Sequence, residues 1–111
     1  MSSSETIRTA LGRTIKALTL KPALGRDTGI SKTTIRDGLT CDVQEGRWKF
    51  SVDMPPAVGG NGSAPTPGVY GRAALGSCLA IGYMMQAALL NVPITKLEVV
   101  VQADFDDGVL L

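Results

Sequence analysis

Residues 65–85, PTPGVYGRAALGSCLAIGYMM, decide the fold. A Pro-x-Pro opening places Thr66 as N-cap and Pro67 at the first helical position, where a missing N–H sacrifices no hydrogen bond. Ala73, Ala74, Leu75, Cys78, Leu79, Ile81, Met84, Met85, Ala88 and Leu89 then cover most of the circumference, the pattern of a helix enclosed on nearly all sides. It is expected to run to about Asn91, where Pro93 stops it. Cys78 leaves two readings open. If Gly76 and Ser77 interrupt the helix, Cys78 begins a fresh segment whose dipole favours a thiolate. If the helix is continuous, Cys78 lies about three turns in, as a small core hydrophobe.

Upstream, residues 55–68, PPAVGGNGSAPTPG, are too rich in glycine and proline for helix or strand and form a long loop, a feature that in compact domains is functional or interfacial. Its Gly59-Gly60-x-Gly62 run is no phosphate cradle, because no P-loop Lys-Ser/Thr follows and no βαβ unit surrounds it. Before the loop, Asp37-Gly38 is a hairpin signal. Leu39, Cys41 and Val43 alternate with Thr40, Asp42 and Gln44. After a second turn at Glu45-Gly46, Trp48, Phe50, Val52 and Met54 alternate with Lys49, Ser51 and Asp53. The expectation is a three-stranded antiparallel meander with one apolar face, on which Cys41 is a buried small hydrophobe. Such a sheet cannot cover an all-round apolar helix, so a second subunit or more chain is required.

Downstream, residues 95–105, TKLEVVVQADF, read as a fourth strand with Leu97, Val99, Val101 and Ala103 on one face. Asp106-Asp107-Gly108 is a turn, after which a partner strand is expected. Because the chain stops instead, it is expected to be the front part of a longer protein, the reading topology favours, or else a shortened form without the second half. At the other end, Ser2-Ser3-Ser4-Glu5 offers a capping box, and Ile7, Leu11, Ile15 and Leu18 form one helical stripe. This amphipathic helix, ended by Pro22 and Gly25, lacks the aromatic anchors of a membrane-surface helix. Residues 1–32 are thus an N-terminal helix and linker, and residues 33–111 the main domain.

The 111 residues suit one domain, and with 44% apolar and 19% charged residues and a formal net charge of +1 they have an ordinary globular composition. No nucleic-acid partner is implied, even though nine Lys/Arg against five Asp/Glu fall in residues 1–49 and two against five in residues 50–111. The N-terminus does not read as a secretory signal, and residues 73–90 are broken by Gly76, Ser77, Gly82 and Gln86, so neither secretion nor a membrane is implied and a cytoplasmic protein is expected. Two cysteines without a CxxC, and no histidine, exclude a disulfide framework and a Cys/His metal site.

Taken together, the meander, the loop GGNGSAPTPG and the ALGSC of the central helix resemble the OsmC and organic hydroperoxide resistance superfamily over residues 33–105. The resemblance implies an OsmC-like α+β fold, with a long buried central helix between the sheets of an intertwined homodimer. It also implies an antioxidant, stress-response thiol peroxidase that reduces organic hydroperoxides, draws on a dithiol reductant and needs no cofactor. In that scheme Cys78 is the peroxidatic cysteine and Arg36, in IRDGL, supports its thiolate, with Thr66 or Ser77 as hydrogen-bond partners. The sequence departs from the family pattern twice. Gly68 stands where the supporting glutamate would be, and the resolving cysteine would lie beyond residue 111. The alternative is therefore a non-catalytic or ligand-binding dimer module that keeps the fold.

Overall fold

The computed structural model describes residues 3–111 and has α+β architecture: α1 (Ser4–Leu20), a 3-10 turn at Pro22–Gly25, β1 (Lys32–Asp37), β2 (Thr40–Glu45), β3 (Trp48–Val52), a 3-10 turn at Pro56–Val58, α2 (Pro67–Leu89) and a short α3 (Asp107–Leu110). The chain divides into two compact units, residues 25–71 and the residues up to Leu24 together with Arg72–Leu111.

In the first unit the strands form an antiparallel meander in the order β1-β2-β3. Each connection is two residues long and begins with a glycine at positive φ, Gly38 at 61° and Gly46 at 58°, a conformation a side chain resists. The first turn falls one position later than the Asp37-Gly38 signal, and Asp37 pairs with Thr40 as a strand end. The register skips between Ile35 and Asp37, leaving Arg36 in a bulge. Cys41 lies opposite Val52 and Val43 opposite Phe50, so the alternation read from the sequence sets the apolar face. Val43 and Val52 are buried on it, and Cys41 is half-buried, with its thiol 3.6 Å from the Val52 carbonyl. The start of α2 is fixed here too: the Tyr70 hydroxyl donates to the Ser51 carbonyl at 2.7 Å, and its ring lies 4.9 Å from that of Phe50.

In the second unit, α1 is capped by Ser3, whose hydroxyl accepts from the Thr6 N–H at 3.1 Å. The expected capping box begins at Ser2, outside the described residues. Arg8 of α1 donates to the side-chain oxygen of Asn91, just past α2. Asn91 closes that helix at φ 55°, a left-handed conformation asparagine tolerates. The Val92 N–H reaches back to the Ala87 carbonyl at 2.9 Å, so the chain has already turned before Pro93. Thr66 begins α2 through its main-chain carbonyl, which accepts from Val69 at 3.1 Å.

Two expectations need correction. Only Ala87 and Ala88 of α2 are buried, whereas Leu75, Leu79, Ile81 and Tyr83 are exposed. The helix is apolar all round, as its sequence says, but the described residues leave most of its faces exposed. Residues 95–105 form no ladder, although a fourth strand was expected there. Their exposure does alternate as in a strand, with Leu97, Val99 and Val101 half-buried and Lys96, Glu98, Val100 and Gln102 exposed. Val101 approaches to 3.3 Å of where a side chain on Gly76 of α2 would begin. The segment has a strand's faces without a neighbouring strand to complete it.

Candidate thiol site

The loop between β3 and α2 is organised by Asp53, whose side chain is sealed (1% exposed) at the end of β3. One carboxylate oxygen accepts from the Ser63 hydroxyl at 2.6 Å, the Ser63 N–H at 3.1 Å and the Thr40 hydroxyl at 3.0 Å. The other accepts from the N–H groups of Met54 at 2.7 Å and Asn61 at 3.3 Å. The Asn61 amide also donates to the Thr40 hydroxyl at 2.8 Å, and the Asp53 N–H to the Pro65 carbonyl at 3.1 Å. These bonds, that from the Ser63 hydroxyl foremost, hold the carboxyl well below the usual carboxylate range and outweigh the opposing effect of burial. Gly60 completes the loop, because a side chain there would begin 1.9 Å from the Met54 carbonyl oxygen.

The alternation of β3 assigns Asp53 to the polar outer face with Lys49 and Ser51, and on that basis its role was missed. The available signal was its place at a strand end, just ahead of a loop rich in backbone N–H groups and short polar side chains.

Arg36 leaves the bulge of β1 with its Nε donating to Asp42 at 2.9 Å, while Asp42 also accepts from the Ser51 hydroxyl at 3.1 Å. Both charged side chains are about half exposed, so the pair contributes little to stability. The bond uses one of five guanidinium donors and leaves the planar fork able to meet a second anion.

Cys78 belongs to the other unit, where α2 runs unbroken through Gly76 and Ser77. The continuous-helix reading therefore holds for its position, while the burial that came with it does not: Cys78 is a free, exposed thiol. Ser77 turns its hydroxyl back to the Ala74 carbonyl at 3.2 Å, within its own helix. Ile81 and Met85, three and seven residues on, share the face of Cys78. With Ile7, Ala80, Met84 and Leu97 they line an apolar groove of about 520 Å³. An exposed thiol can meet an organic electrophile without first unfolding the helix.

No helix among the described residues is long and apolar enough to cross a membrane. No curated protein matches the chain. A family model does match, from the middle of the glycine-rich loop through α2 and the segment after it, and leaves the meander outside its span. Over residues 60–110, with Cys78 inside the match, the chain is similar to the OsmC-like protein family.

Proposed function

We propose that the protein is a thiol-dependent peroxidase acting on organic hydroperoxides, with Cys78 as nucleophile. The observation that carries this reading is the exposed Cys78 thiol on α2, inside the segment that matches the OsmC-like family. The thiolate sulfur attacks the terminal peroxide oxygen and the O–O bond breaks. The alkoxide leaves, takes up a proton and becomes the alcohol, so two electrons pass from sulfur to peroxide and Cys78 becomes a sulfenic acid. An external dithiol then forms a mixed disulfide, releases water and restores the thiol with its second sulfur. The apolar groove along α2 favours an organic rather than a charged peroxide.

The working form is a homodimer in this proposal. Leu75 at 53%, Ile81 at 59% and Trp48 at 64% exposure are far more apolar surface than an isolated chain leaves open without a partner. Two free thiols suit a reducing cytoplasm. Gly68 in place of the supporting glutamate favours the second reading, a dimer module that binds without turnover.

Turnover separates the two readings. An organic hydroperoxide should convert Cys78 to a sulfenic acid that a dimedone-type reagent traps, while Cys41 stays unlabelled, and a dithiol should restore the thiol over repeated cycles. Trapping on both cysteines alike, or none without denaturant, would leave the binding module.

A further inference from the structure

We propose that Asn61-Gly62, in the loop between β3 and α2, is a latent modification site: the folded loop holds the pair unreactive, opening releases it to deamidate, and the product resists closing again. The inference is independent of the thiol reading, because every group it uses lies within residues 25–71.

An asparagine followed by glycine is the pair most prone to lose its side-chain ammonia, because glycine has no side chain to obstruct the attack. The Gly62 nitrogen gives up its proton and bonds to the side-chain carbonyl carbon of Asn61. The bond from that carbon to the amide nitrogen breaks, ammonia leaves with the proton, and a cyclic succinimide remains. Water then opens either carbonyl of the ring to give aspartate or isoaspartate, with no change of oxidation state.

The loop denies each requirement of that attack. The Gly62 N–H donates to the Met54 carbonyl at 3.0 Å, so the nucleophile keeps its proton. The Asn61 amide donates to the Thr40 hydroxyl at 2.8 Å and reaches toward the Asp37 carbonyl and carboxylate at 3.5 Å, which ties the electrophilic group to the first hairpin. The Asn61 N–H donates to Asp53 at 3.3 Å and Gly62 sits at φ 62°, so the main chain on both sides of the reacting atoms is fixed as well. Both residues are exposed, so water is at hand and hydrogen bonding, not burial, protects them.

The same bonds make the change one-way. Thr40 gives its only hydroxyl proton to Asp53 at 3.0 Å, so it can only accept from residue 61. An aspartate there sets acceptor against acceptor and adds a carboxylate beside those of Asp37 and Asp53. Isoaspartate also lengthens the main chain between the N–H that meets Asp53 and the N–H that meets Met54, so the two bonds no longer fit together.

Incubation of the full chain at mildly alkaline pH, followed by peptide mapping for aspartate and isoaspartate at position 61, tests this. Denatured chain should deamidate at Asn61 at least roughly a hundredfold faster than folded chain, since only the open fraction reacts and the bonds on Asn61 and Gly62 must break together. Asn91, followed by the bulky Val92, should change little in either state. Among folded variants, Thr40→Val should raise the rate roughly tenfold and Thr40→Ser should match wild type, because only the valine removes the accepting hydroxyl. Asn61→Asp, which makes the aspartate product directly, should lower the denaturation midpoint at neutral pH. Equal rates at Asn61 in folded and denatured wild type overturn the protection, whether or not Thr40→Val folds. An Asn61→Asp chain as stable as wild type overturns the one-way step.

Discussion

Gly60→Ala is expected to destabilise the protein by about 3 kcal/mol or more, at the top of the range for overpacking. The added carbon would sit 1.9 Å from the Met54 carbonyl oxygen and close to the Met54 backbone behind it, so no flexible side chain can yield. The loop would have to move, and with it the bonds on Asp53. Asp53→Ala attacks the same structure from the other side, because it leaves the Ser63, Thr40, Met54 and Asn61 donors without their acceptor. Asp53→Asn should fall between wild type and alanine, since it keeps an acceptor oxygen but replaces the other with a donor. Chemical denaturation of the three variants, followed through Trp48, measures all of these effects.

The same carboxylate sets an acid limit. Its folded pKa lies below the unfolded value, so its stabilisation is fully present above about pH 4, the ordinary carboxylate range, and is lost as pH falls toward the folded pKa. Asp53→Asn should flatten that part of the stability profile. An acid limb equally steep in wild type and Asp53→Asn would assign the acid sensitivity to other carboxylates.

Cys78→Ser is expected to lower hydroperoxide turnover by at least about a thousandfold while leaving the unfolding free energy within about 0.5 kcal/mol of wild type. The thiol is exposed, so a hydroxyl in its place buries nothing unsatisfied, and serine lacks the nucleophilic, oxidisable sulfur. Cys41→Ser should show the reverse: activity retained and stability reduced, because Cys41 packs half-buried against β3. If turnover followed Cys41 rather than Cys78, the site assignment would have to be exchanged.

What the sequence made legible was periodicity and punctuation. The period of two placed β2 and β3, the stripe of Ile7, Leu11, Ile15 and Leu18 placed α1, and Pro67 and Pro93 bracketed α2. Cys78 was legible as a position through its ALGSC neighbourhood, which the family match now contains. Exposure was not legible, because an apolar helix reads the same whether its cover lies in its own chain or in another. The ladder over residues 95–105 failed for the same reason: alternation writes a strand's faces into the sequence but says nothing about who completes its edges. Asp53 was misassigned because a period-two pattern sorts residues by face, whereas this residue sits where the strand ends and the loop folds back over it.

The bulge at Arg36 and the two-residue turns belong to a meander that is contiguous in the chain, residues 25–71, whereas the other unit joins the residues up to Leu24 with Arg72–Leu111. That arrangement fixes an order of birth on the ribosome. The meander needs only contacts between near neighbours in sequence and can close as soon as it emerges. Helix α1 is made before the meander, and its partners in the folded unit, from Arg72 onward, are made after it. It must wait through the synthesis of the whole meander before the residues it meets in the folded unit exist.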